Sequence, residues 1–274
     1  MIAAPVLALI QYPQIDPVLI AIGPIAIRWY ALAYIGSLLL AWRILRRLVR
    51  LDPPVATQLQ VDDFLTWATL GVVIGGRLGY VLFYRPGDYL ADPLSALMVW
   101  KGGMSFHGGA LGVMVAIIVY CRRYGIPVVG FADRLVVVAP IGLFLGRLAN
   151  FINGELWGRV ADVQWAMVFP GAGPLPRHPS QLYQAGMEGL VLGLVLAVLC
   201  ARRGVRARSG VLSGVFLIGY GVARGVGELF RQPDAFLGFL FAGATMGQLL
   251  SIPMVLGGLA LILTARPRPG FPAA

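Results

Sequence analysis

Long apolar runs, separated by short basic or proline-containing segments, dominate the hydropathy pattern of this 274-residue chain. Seven runs occupy residues 18–42, 64–84, 94–120, 133–150, 181–201, 211–230 and 237–264. Each approaches or exceeds the length of about 20 residues that a helix needs to cross a bilayer. The bilayer core offers the backbone no water, so helices are expected, and the continuity of the runs argues against a transmembrane β-barrel. The pattern predicts an all-α integral membrane protein with about seven transmembrane helices, forming a single polytopic domain over residues 1–274.

The third run is interrupted in its first half. Lys101, Gly102 and Gly103 break it, and two further glycines follow His107. The helix from His107 to Tyr120 would span only about 21 Å at 1.5 Å per residue, against a hydrocarbon core of about 30 Å. Irregular backbone at membrane depth is tolerated inside protein or around a wet cavity, so His107 is expected at the mouth of a cavity.

Glycines recur four residues apart within several runs. This spacing lets helices approach closely, and it predicts helix–helix packing rather than chemistry. The positions are Gly71, Gly75 and Gly79, then Gly142 and Gly146, then Gly221 and Gly225.

Two segments lie outside the runs and have structure of their own. Residues 1–17 contain three prolines and no basic leader, so they are predicted to be an N-terminal arm in the membrane interface rather than a cleaved signal peptide. Residues 151–180 contain two tryptophans and four prolines and are predicted to form a folded outer (periplasmic) head.

Charge is scarce and unevenly placed. Charged residues make up 12% of the chain, against about 25% in soluble domains, and hydrophobic residues make up 58%. The net charge of +10 comes from short clusters between runs, which is typical of topology signals and not of a nucleic-acid-binding surface. Placing these clusters in the cytoplasm puts the N-terminus outside and the C-terminus inside; they are Arg43, Arg46, Arg47 and Arg50, then Arg122, Arg123 and Arg134, then Arg202, Arg203, Arg206 and Arg208, then Arg266 and Arg268.

Cysteine and histidine are too few for a structural framework. Cys121 and Cys200 each lie near an arginine pair at the end of a run, and they are interpreted as inert thiols. Two histidines and two dispersed cysteines do not make a metal site, so no metal and no other cofactor is expected.

Four arginines fall inside apolar runs, on the outer half or the middle of the membrane: Arg28, Arg77, Arg147 and Arg224. Each would cost about 2.5–3.5 kcal/mol at mid-bilayer. Arg28 and Arg147 lie close enough to an end to snorkel, whereas Arg77 and Arg224 need partners or a water-filled cavity. Guanidinium groups at one depth favour an anionic ligand, and a phospholipid head group is the abundant candidate.

Other interpretations stay open on spacing alone. Arg224 and Glu228 are an i, i+4 pair, and Glu155 or Glu188 could pair with Arg147, so the arginines could be structural. His107 could merely cap a helix, and His178 could orient a loop backbone. A lipid or anion transporter would explain arginines in a cavity, but the chain has no internal repeat and its inner half is apolar. A purely structural scaffold would leave Arg77 and Arg224 unexplained.

Four polar stretches, residues 102–109, 146–159, 177–183 and 219–234, give the chain a recognisable pattern. It resembles the prolipoprotein diacylglyceryl transferase family of the bacterial inner membrane, with HGG, a long signature from Gly146 to Arg159, RHPSQLY and YGxxR elements in order. The resemblance runs from about Trp29 to about Asp234. Two departures are Ala149, where the family usually has glycine, and Gln184, where glutamate is common.

The resemblance implies a reaction and its partners. A diacylglyceryl group passes from phosphatidylglycerol to the cysteine thiol of a preprolipoprotein lipobox peptide, a thioether forms and glycerol phosphate leaves. Membrane lipids are partners and nucleic acid is not.

The resemblance also implies roles for named residues. His107 is the candidate base, Arg147 and Asn150 contact the lipid phosphate and glycerol, and Arg224 binds phosphate. The other implied site residues are Tyr220, which positions that phosphate, Tyr30, which lines the pocket, Gly158 of the signature, and Glu228 and Arg231, which support Arg224.

Overall fold

The computed structural model describes residues 10–23, 25–84, 87, 89, 92–233 and 240–267, and most of these are helical. The chain divides into two compact units, one formed by Leu45–Arg134 and the other by Met1–Ile44 with Leu135–Ala274. Asp234 and the first half of the predicted N-terminal arm lie outside the described residues. The single polytopic domain stays a prediction.

The first apolar run is a hairpin followed by a helix. Strand β1 (Val18–Ile22) pairs antiparallel with β2 (Ile25–Arg28), and helix α1 covers Trp29–Leu48. Valine and isoleucine favour extended backbone, and Gly23 supplies a φ of 57° at the turn. The prediction of a helix from residue 18 is therefore wrong for residues 18–28. Arg28 ends a strand and is exposed, so it does not lie inside a helix.

The unit Leu45–Arg134 is built on two closely packed helices, α2 (Gln58–Phe83) and α3 (Phe106–Arg123). A Cβ on Gly75 would lie 2.4 Å from the Gly108 carbonyl oxygen, and one on Gly112 would lie 1.9 Å from the Gly71 oxygen. The predicted packing role of Gly71, Gly75 and Gly79 is confirmed. Short 3₁₀ turns at Pro93–Leu97 and Val99–Lys101 precede α3, so the interruption of the third run is confirmed as well.

Arg77 on α2 holds these turns in place. It is 6% exposed, and its guanidinium donates to the carbonyl oxygens of Ser95 at 2.6 Å, Ala96 at 2.7 Å and Gly103 at 3.1 Å. Arg77 was predicted to need partners because it lies deep in an apolar run, and these partners are backbone carbonyl oxygens. Arg77 ties the irregular segment to α2.

The second unit contains most of the remaining helices. They are α4 (Val128–Ile152, which begins in the first unit), α5 (Ser180–Ala201), the short α6 (Arg203–Arg206), α7 (Val211–Phe230) and α8 (Met246–Leu263). Helix α7 packs on α8 through small residues: a Cβ on Gly221 would lie 3.1 Å from the Ser251 carbonyl oxygen. Gly146 and Gly225 have nothing within 4 Å of an added Cβ, so the packing prediction is wrong for these two positions.

The segment between α4 and α5 is folded without long regular elements. Isolated bridges join Val160 and Met167 to Arg177, and Gly158 to Arg231. Tyr12, Met167 and Phe169 form a small buried cluster, and the Tyr12 hydroxyl donates to the Ile152 carbonyl oxygen at 3.0 Å. The described part of the N-terminal arm is thus anchored on this segment. Its location outside the membrane stays a prediction.

Four described helices are long and apolar enough to cross a bilayer: Gln58–Phe83, Val128–Ile152, Ser180–Ala201 and Met246–Leu263. The membrane character of the fold follows from them, because each presents mostly apolar side chains over a sufficient length. The total of about seven spans stays a prediction.

Candidate active site

A buried carboxylate on α5 connects two of the predicted phosphate-binding arginines. Glu188 is 0% exposed, and its Oε2 accepts from Arg147 Nη2 at 3.2 Å and from Arg147 Nε at 3.3 Å. Its other oxygen, Oε1, lies 4.0 Å from Arg224 Nη1. Helices α4, α5 and α7 each contribute one of these side chains, so Glu188 fixes the spacing of the two guanidinium groups.

A second buried carboxylate, Glu228, holds the other side of Arg224. Arg224 Nη2 lies 2.7 Å from Glu228 Oε1, and Arg231 Nη1 donates to the same oxygen at 3.1 Å. Glu228 thus contacts Arg224 directly and Arg231 contacts Glu228, while their supporting roles at a bound lipid stay predictions. Structural Arg–Glu pairing, which the sequence left open, is therefore present, with Glu188 rather than Glu155 as the partner of Arg147.

These five side chains, which we call the arginine–glutamate network, carry unequal charge. Three arginines and two glutamates leave one positive charge in excess among the residues joined by ion pairs. The glutamates are 0% and 2% exposed, whereas Arg147 and Arg224 are 16% and 17% exposed. The accessible side of the network is therefore cationic, which suits one anionic group.

The local fold of α5 explains how Glu188 reaches this position. Ala185–Val191 form a π-helical turn, a wider turn that occurs frequently at functional sites. Gly189 lies so close to α4 that an added Cβ would be 2.5 Å from the Phe144 Cβ. The close approach of the two helices brings Glu188 to Arg147.

Two other predicted ligands of the second unit, Tyr220 and Asn150, have different surroundings. Tyr220 lies one turn before Arg224 on α7 and is half-buried. Asn150 is buried, and its Nδ2 donates to Glu155 Oε1 at 2.7 Å, so Glu155 serves an amide rather than an arginine. The roles of Tyr220 and Asn150 toward the lipid stay predictions.

Gly158 is required by packing. A Cβ at this position would lie 2.5 Å from the His178 carbonyl oxygen and 2.6 Å from the Phe230 carbonyl oxygen. Arg159, the last residue of the signature, donates to the carbonyl oxygens of Arg231 at 3.0 Å and Glu228 at 3.1 Å. Gly158 and Arg159, at the end of the signature, therefore contact the backbone at the C-terminal end of α7, which carries Glu228 and is followed by Arg231. Substrate binding by Gly158 stays a prediction.

His178 orients this same region. Its carbonyl oxygen accepts from the Gly158 amide at 2.9 Å, and its Nδ1 lies 3.1 Å from the Tyr183 hydroxyl. The ring packs edge-on against Phe230. Burial lowers the pKa of His178, so its imidazole is neutral near pH 7. The interpretation of His178 as a residue that orients the backbone agrees with these contacts.

His107 and Tyr30 occupy exposed positions at helix starts. His107 is the second residue of α3, and the helix is capped by the Ser105 hydroxyl, which accepts from the Gly108 amide at 3.1 Å. The alternative that His107 caps the helix is therefore wrong. Tyr30 is the second residue of α1 and is 47% exposed. Their roles as base and pocket-lining residue stay predictions.

Comparison with known proteins identifies the family. A family model described as prolipoprotein diacylglyceryl transferase matches residues 17–264. Relatives named phosphatidylglycerol–prolipoprotein diacylglyceryl transferase include one from Paramagnetospirillum magneticum, 65% identical over 93% of this chain and 96% of the relative. Another, from Gluconacetobacter diazotrophicus, is 60% identical over 97% of this chain and 96% of the relative.

The match extends over nearly the whole chain and includes both compact units. It agrees with the apolar helices that mark the protein as an integral membrane protein. The chain belongs to the prolipoprotein diacylglyceryl transferase family.

Proposed function

We propose that this protein transfers the diacylglyceryl group of phosphatidylglycerol to the lipobox cysteine of preprolipoproteins, the first step of bacterial lipoprotein maturation. The observation that carries the proposal is the extent of the family match, residues 17–264, together with relatives of that name at up to 65% identity. The arginine–glutamate network supplies a physical reason, because the reaction needs a cationic site for a phosphate.

The chemistry is a displacement at carbon. The cysteine sulfur attacks the lipid carbon that carries the phosphate, a carbon–sulfur bond forms, and the carbon–oxygen bond breaks. The electron pair of that bond leaves on the oxygen of glycerol phosphate, and the thiol proton passes to a base. Only the thiolate is a strong nucleophile, so the site must assist deprotonation and must stabilise the departing phosphate.

Arg147 and Arg224 are the proposed phosphate ligands. Both guanidinium groups keep some exposure while their counter-charges are buried, and Arg224 Nη1 makes no hydrogen bond within the described residues. A planar fork of donors matches phosphate oxygens and stays charged at any physiological pH. Glu188, Glu228 and Arg231 act as positioning residues behind them.

The remaining roles are proposed from the family resemblance. His107 takes the thiol proton, Tyr220 positions the phosphate, and Asn150 contacts the glycerol. Tyr30 lines the lipid pocket, and Gly158 shapes the end of the signature. We assign no metal or other cofactor a part in the reaction.

The proposed location is the bacterial inner membrane, with the active site toward the periplasm. Basic clusters between the apolar runs support a periplasmic N-terminus and a cytoplasmic C-terminus. The segment between α4 and α5 would form the periplasmic head, and about seven helices would cross the bilayer.

The direct test is to incubate the purified protein in micelles with a lipobox peptide and phosphatidylglycerol labelled in the glycerol carbons that carry the acyl chains. We expect label on the peptide through a bond that survives base treatment, because a thioether resists it, together with one released glycerol phosphate per transfer. A peptide with serine in place of the lipobox cysteine is the control. Absence of product with any anionic phospholipid would refute the enzyme and would favour a transporter.

A further inference from the structure

Two glutamines on α5 bury amide atoms for which the described part of the chain provides no partner. Gln181 and Gln184 are each 0% exposed. Gln181 Nε2 donates to the Glu155 carbonyl oxygen at 2.6 Å, but its Oε1 makes no hydrogen bond. Both polar atoms of Gln184 make none. Buried side-chain amides are nearly always hydrogen-bonded, because water is lost and must be replaced. We therefore expect a polar group of a bound molecule to form hydrogen bonds with the Gln184 amide.

The Gln184 amide lies beside the arginine–glutamate network. It is one helical turn before Glu188, on the same face of α5. Across from it on α7 is Gly227, where an added Cβ would be 3.2 Å from Gln184 Cγ and 3.4 Å from its Nε2. Gly227 stands three residues after Arg224 and next to Glu228. The Gln184 amide therefore lies close to the network residues of both α5 and α7.

Two polar atoms of the network also lack hydrogen bonds within the described residues. Glu188 Oε1 and Arg224 Nη1 make none within the described residues and lie 4.0 Å from each other. The π-helical turn begins directly after Gln184, so the irregular part of α5 separates the amide from the carboxylate. Gln184 precedes Glu188 by four residues on α5, and Glu188 Oε1 lies 4.0 Å from Arg224 Nη1, so the amide and the guanidinium border one polar region.

We propose that Gln184 binds the hydroxyl groups of the glycerol head group of the lipid donor while Arg147 and Arg224 hold its phosphate. The inference rests on the proposed function and adds the residue that selects the head group. An amide offers one donor group and one acceptor, the same pair that an alcohol needs. The three-carbon glycerol group attached to the phosphate is long enough to extend over about one helical turn, from the arginines to Gln184.

The amide favours a hydroxylated head group over an ammonium group. An ammonium group has only donors and would leave the Gln184 Nε2 without an acceptor, whereas a hydroxyl group can both donate and accept. In this proposal Gln184 binds the hydroxyl groups that distinguish the head group, and the arginines bind the phosphate that all phospholipids share.

The first experiment uses the wild-type protein alone. Transfer to a lipobox peptide is measured from phosphatidylglycerol and from phosphatidylpropanol, which keeps the phosphate and the three carbons but has no hydroxyl. We expect kcat/KM to be at least about tenfold higher for phosphatidylglycerol, because a site built to bind hydroxyl groups rejects an analogue that lacks them. Equal values would overturn the inference while leaving the proposed function intact. No transfer from either lipid would refute the proposed function itself.

The second experiment compares variants of similar volume. Gln184→Met removes both amide atoms, and we expect the ratio of kcat/KM for the two lipids to fall about tenfold, mainly through phosphatidylglycerol. Gln184→Glu keeps oxygen acceptors, and its ratio should remain within about threefold of wild type, although its added negative charge raises KM for both lipids. Gln14→Met, at an exposed glutamine outside the helices, is the matched control and should keep the wild-type ratio.

Stability separates head-group binding from an internal hydration site. If the amide held only ordered water, Gln184→Met would change thermal unfolding and the rates for both lipids by the same factor, and the unchanged ratio would overturn the inference. Should the methionine variant fail to fold, Gln184→Asn decides, because it keeps the amide but draws it back by one methylene: a reduced ratio supports hydroxyl recognition by this side chain, and an unchanged ratio contradicts it.

Discussion

At the scale of single residues, the counter-charges matter as much as the arginines. Removing one member of a buried ion pair costs about 3–5 kcal/mol, because the remaining charge is left without compensation. Glu188 and Glu228 therefore stabilise Arg147 and Arg224 and hold both guanidinium groups in position. Arg147 and Arg224 are held by their counter-charges, so little side-chain freedom remains to be lost on binding.

Arg224→Lys tests whether the fork of donors is needed. Lysine keeps the charge but cannot contact Glu228 and a phosphate with two coplanar groups. We expect kcat/KM for transfer from phosphatidylglycerol to fall about 10²–10³-fold, the usual cost of losing one donor to a developing oxyanion. Arg43→Lys, at an exposed position of α1, is the matched control and should behave as wild type. Near-normal transfer in Arg224→Lys would assign Arg224 a structural role.

His107→Gln tests the proposed base. Glutamine preserves size and polarity but accepts no proton, so transfer to the lipobox peptide should fall about 10²–10⁴-fold. Binding of phosphatidylglycerol, measured with labelled lipid on the same preparation, should remain near normal because the phosphate ligands are unchanged. Full transfer activity in this variant would remove His107 from the mechanism.

The sequence predicted the contact between Arg224 and Glu228 because these residues lie one turn apart on one helix. Arg224, Glu228 and Arg231 lie within two helical turns, so their pairing follows from spacing. The choice between Glu155 and Glu188 for Arg147 could not be predicted, because it depends on how α5 packs against α4. The buried state of Gln184 was missed for the same reason: no periodicity marks which polar residue of an apolar helix faces a neighbour.

At the scale of elements, glycine contacts set the packing. Helices α2 and α3 approach so closely that backbone of one meets backbone of the other. The first apolar run shows the limit of hydropathy, since a continuous apolar stretch does not distinguish two short strands from a helix. The sequence-based prediction missed the exposed β1–β2 hairpin because it gave the length of the apolar run more weight than the β-branched residues and the turn glycine.

Gly112→Ala should separate α2 from α3. Its Cβ would lie 1.9 Å from the Gly71 carbonyl oxygen, which is backbone and cannot rotate away. We expect a loss of about 1–3 kcal/mol, seen as a lower midpoint of thermal unfolding in detergent. Gly36→Ala on α1 has nothing within 4 Å and should keep or slightly raise the midpoint. Equal midpoints for the two variants would contradict the close contact.

At the scale of the whole molecule, the distribution of charge predicts the orientation in the membrane. Arginine clusters between the apolar runs predict which loops face the cytoplasm, and four of the described helices are suited to span the bilayer. Length and hydropathy alone did not establish the full set of spans, since α1 and α7 carry arginines that a simple hydropathy criterion penalises.

Cysteine labelling in intact cells tests the orientation. Asp162→Cys, exposed in the predicted periplasmic head, should react with a membrane-impermeant maleimide before permeabilisation. Arg50→Cys, exposed in the first predicted cytoplasmic cluster, should react only afterwards. The native Cys121 and Cys200 are buried and should give little background. The reverse order of labelling would invert the topology.

The single excess charge of the arginine–glutamate network has a consequence for turnover. If the network binds the lipid phosphate as proposed, a phosphodiester lipid brings one negative charge and balances these five side chains. The leaving group is a phosphate monoester, which carries about −1.5 to −2 at pH 7 because its second pKa is about 6. After transfer the proposed site would hold surplus negative charge beside two buried carboxylates. The arrangement that neutralises the donor lipid would therefore favour release of glycerol phosphate after each transfer.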